Sequence, residues 1–427
     1  MAAIATSKFR VHNAEQFVEQ FTEASNTIMY MYIGGVKPFT DDFTPPTPQN
    51  DTANIEFVPW RDSIGAKRIQ TTDVVHAIDR YDWTTGTTYD EYDDTDVNIL
   101  DDDFYVLTDE YNVYKCLFNA GATASTTKPT GTSTSAFTTA DGYIWKYMYT
   151  VTTSDALKFL TNDYLSVRTD STVSAAAVDG GLNVIKLTAA GAGYTGTPIV
   201  TITGDGTGAA ATCTLSGGAV STITVTAQGS GYTTATVAFT ANGSSSSAAA
   251  RVIIPPKGGH GNNAIEELGG KFVMINVRLD GAESNTLSVA NDFRKIGLIR
   301  DPHLYGTTIR ATETNFRQTY RYYIPAATTS YSLDETVTVG SGSSANTATV
   351  VEWDNANKYL YTTKPLPLDF ANSSSIVGAN SGATGTITAI NTPGLKAYSG
   401  DVLYIENRSP ISRASDQIED VKLIIEF

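Results

Sequence analysis

The sequence is short of charged side chains, and cations are its scarcest class of charge. Only 17% of the 427 residues are charged, below the roughly 25% of an ordinary soluble domain. Its 29 Lys and Arg against 45 Asp and Glu give a net charge of −16. Because binding to phosphates or to an anionic membrane needs clustered cations, we expect neither nucleic acid nor a membrane as a partner.

Cysteine and histidine are also scarce, which disfavours the common sites built from them. Cys116 and Cys213 have no neighbouring Cys or His, so we expect two small buried side chains in a reducing compartment, without a disulfide or a zinc site. The four histidines form no His-Glu-x-x-His pattern, and no P-loop or Gly-x-Ser-x-Gly occurs. The sequence therefore predicts no cofactor and no metal centre of a familiar type.

Residues 1–8 lack the basic and apolar segments of a secretory signal, and no apolar run approaches the ~18 residues of a membrane-spanning helix. We expect a protein made in the cytoplasm. The length favours two to four domains at about 100–200 residues each.

Thr, Ser, Gly, Ala and 23 Tyr take the place of the missing charge, and this composition favours strands over helices. The prediction is a mainly β fold with few short helices, in which a multi-domain, sandwich- or barrel-like core carries two inserted β-repeat modules. Three helices are expected: one capped by Asn13, one over residues 64–78, and a short one capped by Ser154. Strands are expected at Tyr111–Phe118 and at Val421–Phe427, which should join a sheet formed by earlier residues.

Two low-charge segments contain internal repeats. Between Ser171 and Ala250, 80 residues hold three charged side chains, and 184–203 aligns with 222–241 at an offset of 38. Each copy has a strand, a Gly-x-Gly-Tyr turn and a second strand, so the halves should complete each other's core. A second pair of copies begins at Val339 and Val377, with a hairpin predicted between them around residues 354–357. The predicted domains are therefore core segments 1–170, 259–330 and 395–427, with inserted modules at 171–258 and 331–394.

The negative charge is concentrated between Asp73 and Glu110, where 13 acidic residues accompany one cation, Arg80. Its densest part is Asp90–Asp96, followed by Asp101, Asp102 and Asp103. From Asp94, the spacing fits an EF-hand loop only in part, because Ile99 stands where a sharp turn needs Gly and Tyr105 where a bidentate Glu is needed. An irregular cation site, a solvated loop and a docking surface for a basic partner all remain open interpretations.

An aromatic strand is the other candidate site. Tyr143, Trp145, Tyr147 and Tyr149 alternate along residues 143–149, which places them on one face of a strand. Such a row could pack in a core, form a protein interface or stack on a sugar. Gly191–Gly196 formally matches the dinucleotide-binding Gly-x-Gly-x-x-Gly pattern, but a strand rather than a helix is predicted after it, so we interpret it as a β-turn.

Several segments together resemble the dimeric baseplate wedge subunit of contractile-tailed bacteriophages. The resemblance covers about 60% of the chain, in the normally charged core, and the segments that carry it are Thr6–Arg10, Arg80–Trp83, Val113–Leu117, Lys128–Thr134, Asp141–Tyr147, Phe293–Pro302, Ser399–Ile411 and Asp416–Asp420. It is strongest at the Asp-Gly-Tyr-x-Trp strand and at the Tyr-x-Glu-Asn-Arg-x-Pro-Ile segment near the C-terminus. The modules 171–258 and 331–394 depart from the family pattern.

The resemblance implies a structural, non-enzymatic protein that forms a homodimer and joins other wedge subunits in the virion tail baseplate, after assembly in the host cytoplasm. On this interpretation Tyr143, Trp145 and Tyr147, together with Asp101, Asp102 and Asp103, are the candidate protein-interface residues. The alternative function is a carbohydrate-binding tail or adhesin module for host-surface recognition, for which Trp145 and Trp353 would be the sugar-stacking side chains.

Overall fold

The computed structural model describes residues 4–23, 27–284 and 286–427. It is mainly β, with 39% strand, 11% helix and several antiparallel sheets, none of them closed into a barrel within the described residues. The helices in this part of the chain are α1 (Ser7–Glu19), α2 (Thr52–Glu56), α3 (Val58–Asp62), α4 (Thr153–Phe159), α5 (Ser171–Ala175) and α6 (Ala264–Glu267). The predicted fold class is confirmed.

The strands alternate with turns along the whole chain. Those of the first half are β1 (Met29–Gly34), β2 (Ser63–Arg68), β3 (Val74–Asp79), β4 (Tyr105–Leu107), β5 (Asn112–Phe118), β6 (Phe137–Thr138), β7 (Ile144–Thr150), β8 (Tyr164–Val167), β9 (Ile185–Ala189), β10 (Val200–Gly204), β11 (Thr207–Ser216), β12 (Ala219–Ser230) and β13 (Ala235–Phe239). Those of the second half are β14 (Ala249–Val252), β15 (Phe272–Asp280), β16 (Phe293–Arg300), β17 (Asn315–Arg317), β18 (Tyr320–Tyr323), β19 (Thr336–Val339), β20 (Asn346–Asp354), β21 (Tyr359–Thr362), β22 (Ser375–Gly378), β23 (Thr384–Thr386), β24 (Ala389–Asn391), β25 (Asp401–Ile411) and β26 (Ile418–Glu426).

The described residues form two compact units. The first takes in Met1–Val18, Val75–Met274 and Ile424–Phe427, and the second Glu19–Val74 and Ile275–Leu423. In the first unit the strand order β4-β5-β7-β6 makes a four-stranded sheet with an apolar core on each face. In the second unit one sheet has the order β17-β2-β1-β16-β25, and a seven-stranded sheet has the order β23-β22-β19-β20-β21-β18-β24.

The two repeats of the segment 171–258 exchange strands. β10 of the first copy pairs with β13 of the second, while β9 pairs with β14 and β11 with β12, all antiparallel. Each copy therefore completes its sheet with a strand from the other, and one apolar cluster contains Ile185 of the first copy and Tyr232 of the second. The expectation that the halves complete each other's core is confirmed.

The Gly-x-Gly-Tyr turns have the same geometry in both copies. Gly191 and Gly229 have φ of 66° and 62°, in the left-handed region that only glycine adopts easily. Each turn then places a tyrosine hydroxyl on the other copy's backbone: Ala248 N–H donates to Tyr194 Oη at 2.7 Å, and Ala209 N–H to Tyr232 Oη at 3.4 Å. A strand, β10, follows the first turn, so the prediction of a strand rather than a helix after Gly191–Gly196 is confirmed.

Several other local predictions are confirmed. β5 and β26 match the strands predicted at 111–118 and 421–427, and β26 lies beside the earlier strand β15. β20 and β21 pair as a hairpin, with Asp354 opposite Tyr359. Both cysteines are buried and unpaired, as expected.

The helix predictions were the weakest. α1 begins at Ser7, because the hydroxyl of Thr6 already accepts the Phe9 N–H at 3.2 Å, so the predicted cap Asn13 lies inside the helix. The helix predicted over 64–78 was wrong: β2 and β3 lie there, and their backbones pair with β1 and β8. The third helix exists as α4, but Thr152 caps it rather than Ser154.

Candidate functional site

The acidic run at 101–103 lies at the end of a short 3₁₀ turn, Ile99–Asp101, in the first unit. Asp101 has a largely exposed side chain, and its Oδ1 lies 3.3 Å from Lys271 Nζ. Partial desolvation, and then the charges of Asp90, Asp96 and Asp101, raise the pKa of Asp102. Burial raises the pKa of Asp103, whose Oδ1 accepts the Asp90 N–H at 3.2 Å. The three side chains lie together in a field of like charge.

The neighbouring acidic residues form ion pairs with the repeat segment 171–258 of the same chain. Lys186 of β9 forms an ion pair with Glu91. Arg251 of β14 bonds Asp93, and its Nη1 lies 2.7 Å from Asp94 Oδ1. Two cations of the segment 171–258 are thus matched to three carboxylates of the acidic stretch.

The described residues contain no group of three or more His, Cys, Asp or Glu side chains that could hold a metal ion. No helix among them has the length and apolar character needed to cross a membrane.

The aromatic residues of β7 are buried. Tyr143, Trp145 and Tyr147 join one apolar cluster, and the Tyr143 and Trp145 rings stack with centroids 5.3 Å apart. Tyr149 lies in the other core cluster of the sheet, because the β5–β7 register shifts between Val113 and Tyr114. The burial favours core packing among the alternatives for this strand, since none of the three rings is accessible to a partner or a sugar in this conformation. Trp353, in the second unit, packs its ring against Tyr331 at 5.2 Å.

Asp141, two residues before Tyr143, is the carboxylate of the Asp-Gly-Tyr-x-Trp segment. It accepts hydrogen bonds from the hydroxyls of Ser125 and Thr139 and from the backbone N–H groups of Thr126 and Thr127. Burial by itself would raise the pKa of Asp141, but these hydrogen bonds outweigh it and hold the pKa below its ordinary value. The carboxylate fastens the loop at 125–127 to the start of β7.

A buried ionic cluster, which we call the Lys115 cluster, lies beside the same sheet. It consists of Lys115 on β5, Lys146 on β7, His260, and Glu267 of α6. The Lys115 and Glu267 side chains are 0% and 3% exposed, with Nζ and Oε2 2.9 Å apart. The other carboxylate oxygen of Glu267 accepts N–H groups of Gly261 and Asn263 at 2.8 and 3.3 Å. The bond between Lys115 and Glu267 thus joins two distant parts of the first unit.

Aromatic rings complete the cluster. Lys115 Nζ lies 4.1 Å from the centre of the Tyr92 ring, which meets the His260 ring edge-on at 4.8 Å. Burial lowers the pKa of Lys115, and the charge of Glu267 opposes that shift. Burial, and then the charges of Lys115 and Lys146, hold the pKa of His260 well below its usual range. His260 is therefore neutral in the folded protein near neutral pH.

The sequence analysis missed this cluster because its members are spread over residues 92–267. One feature could have pointed to it: Lys115 and Lys146 each stand inside an otherwise apolar strand, in Val-Tyr-Lys-Cys-Leu and Ile-Trp-Lys-Tyr-Met. A lysine at such a position must bury its ammonium group or leave the sheet, and buried lysines need a partner.

Neither a known family model nor a curated protein sequence matches this chain.

Proposed function

We propose that the chain is a structural, non-enzymatic subunit of the baseplate wedge of a contractile phage tail, present as a homodimer and joined to neighbouring wedge proteins by protein–protein contacts. The observation that carries the proposal is the role of Asp141 in the segment where the family resemblance is strongest. All four of the donors described above converge on this one carboxylate. A side chain engaged in this way supports a structural role for the segment rather than a catalytic one.

The second segment of strong resemblance supports the contact role. Tyr404–Ile411 lies on β25, an 11-residue strand at the edge of the five-stranded sheet of the second unit. Leu403 beside it is 44% exposed. Edge strands present a row of backbone donors and acceptors to other chains, and recognition by added strands uses them directly. Such an edge is one means by which a subunit can join its neighbours.

The negative charge of the first unit also supports a role in contacts with other proteins. The carboxylates at 101–103 offer a docking surface to a partner of opposite charge. Lys271 is already beside Asp101, so part of this charge is balanced within the chain.

The mass of the purified chain in solution tests the dimer. Sedimentation equilibrium at micromolar concentration should give twice the 45.6 kDa of one chain. Repeating the measurement at 1 M salt distinguishes a dimer held by charge from one held by apolar contacts. At this salt concentration, interactions between surface charges are screened beyond about 3 Å. A strict monomer over this range contradicts the dimeric part of the proposal.

A further inference from the structure

A cleft of about 640 Å³ opens in the first unit, next to the Lys115 cluster. One wall is formed by residues of β7 and the other by residues of β9 and β12. Its volume lies within the ~300–1,000 Å³ of ordinary small-molecule sites. Both Lys146 and His260 of the cluster line it.

The cluster carries one positive charge more than it can neutralise. Lys115 and Lys146 bring two ammonium groups, Glu267 brings one carboxylate, and that carboxylate is paired with Lys115. Lys146 is only 4% exposed, and its ammonium donates to the backbone carbonyl of Thr134. Burial lowers the pKa of Lys146, as expected for an ammonium group with too little counter-charge. Buried charges in proteins are usually paired.

His260 has a second unmatched group in the same place. Its side chain is 4% exposed, and within the described part of the chain its Nδ1 has no hydrogen-bond partner. The nearest carboxylate oxygen, Oε2 of Glu267, is 3.9 Å away, too far for a hydrogen bond. A buried polar atom without a partner lowers stability, so a ligand atom that pairs with it gains affinity.

The rest of the cleft is divided between apolar and hydroxyl side chains. Ile144, Val184 and Val225 give it an apolar surface, and Thr134, Thr222 and Thr224 add hydroxyl groups. An apolar lining with a few convergent polar groups is typical of sites for small organic ligands.

We propose that this cleft binds a small organic monocarboxylate, whose carboxylate pairs with Lys146 and His260 while its apolar part lies against Ile144, Val184 and Val225. One negative charge matches the one unneutralised ammonium group. The Nδ1–H tautomer of His260 donates to the second carboxylate oxygen. This inference is independent of the wedge proposal, because it concerns a site inside one unit and needs no other subunit.

Calorimetric titration of the full-length chain with hexanoate tests the inference, with hexanamide as the uncharged analogue of the same length. We expect saturable hexanoate binding and at least about tenfold weaker binding of hexanamide, because the amide cannot neutralise Lys146. NMR of the methyl groups should place the largest shifts at Ile144, Val184 and Val225. This comparison uses only the unaltered protein.

Lys146→Met should lower hexanoate affinity at least about tenfold, whereas Lys257→Met, at an exposed lysine of the same unit, should leave it unchanged. Hexanoate that does not saturate by about 10 mM, equal affinity for hexanamide, shifts confined to methyl groups outside the cleft, or a folded Lys146→Met variant that keeps full affinity would each overturn the inference. None of these outcomes bears on the dimer mass, so the two proposals fail separately.

Discussion

Lys115 Nζ lies 2.9 Å from Glu267 Oε2, and the two side chains are buried although 152 residues separate them in the sequence. Lys115 is in the centre of β5, and Glu267 ends helix α6. The pair therefore ties a central strand of the first unit to the segment that follows the repeats. Removing one partner of a buried ion pair leaves an uncompensated charge, whereas removing both can be nearly neutral.

The first prediction concerns this pair. Lys115→Met and Glu267→Gln should each lower the free energy of unfolding by about 3–5 kcal/mol, because each leaves the other side chain buried without its partner. The double variant should lose less than the sum of the two. Urea unfolding measures the free energy of unfolding of all three variants, and hydrogen exchange of the β5 amides is the second measurement.

The matched control for this cycle is Lys128→Met with Glu110→Gln, an exposed pair of the same unit with Nζ and Oε1 2.6 Å apart. Exposed pairs contribute about 0–1 kcal/mol, so the control should change stability little. If the losses at Lys115 and Glu267 are small and strictly additive, the two side chains do not act as a buried pair.

The second prediction is the pH dependence that His260 causes. Its pKa is held well below the usual range in the folded chain, while in the unfolded chain it titrates near 6.5. Only the unfolded state therefore takes up this proton, so the stability contribution is present above about pH 6.5 and is lost as the pH falls below it. The expected slope is about 1.4 kcal/mol per pH unit for this one proton.

His260→Gln should reduce the dependence of stability on pH by the contribution of about one proton between about pH 6.5 and 5. Some slope should remain, because burial also lowers the pKa of His76. His12→Gln, at an exposed position of α1, is the control. The measurement is the free energy of unfolding by urea across this pH range. An unchanged slope in His260→Gln would show that His260 does not stay neutral in the folded state.

The third prediction concerns Asp141. Asp141→Asn should lower the free energy of unfolding by about 1.5–3 kcal/mol, because an amide cannot accept from all the donors that converge on this carboxylate. Thermal unfolding with near-ultraviolet circular dichroism reports both stability and the stacked Tyr143–Trp145 pair. Asp163→Asn, at an exposed position, should have little effect, and equal stability of the two variants would contradict the structural role of Asp141.

The fourth prediction concerns the acidic run. Replacing Asp101, Asp102 and Asp103 by Asn should weaken association with purified wedge proteins and reduce its dependence on salt, because fewer charges remain to attract a basic surface. Asp109→Asn, within the same acidic stretch but bonded to Lys128, is the control. Unchanged affinity together with an unchanged salt slope would exclude a docking role for the run.

Local patterns in the sequence were enough to predict some of the strands, such as β5 and β26. Alternation at 111–118 gave β5, and the Gly-x-Gly-Tyr repeat gave the turns, because glycine adopts the φ values of 66° and 62° at Gly191 and Gly229 without steric cost. The helix prediction at 64–78 failed because side-chain spacing does not reveal that β1 and β17 lie on either side of β2. Tertiary pairing overrode the local preference there.

The candidate site was harder to predict, because it depends on which strands become neighbours. Exposed aspartates can be found from sequence alone, and Asp101 is indeed exposed. The partner of Lys115 comes from the segment around His260 and Glu267, more than 100 residues away. No local pattern encodes that contact, and the strand exchange between the repeats is equally invisible in either copy taken alone.

Sedimentation velocity of the chain mixed with purified baseplate wedge proteins of a contractile phage tail tests the proposed structural role most directly. We predict a single faster-sedimenting species that contains this chain, formed without any added substrate or cofactor. Separate sedimentation of this chain, under conditions in which the wedge proteins assemble with one another, would contradict the account.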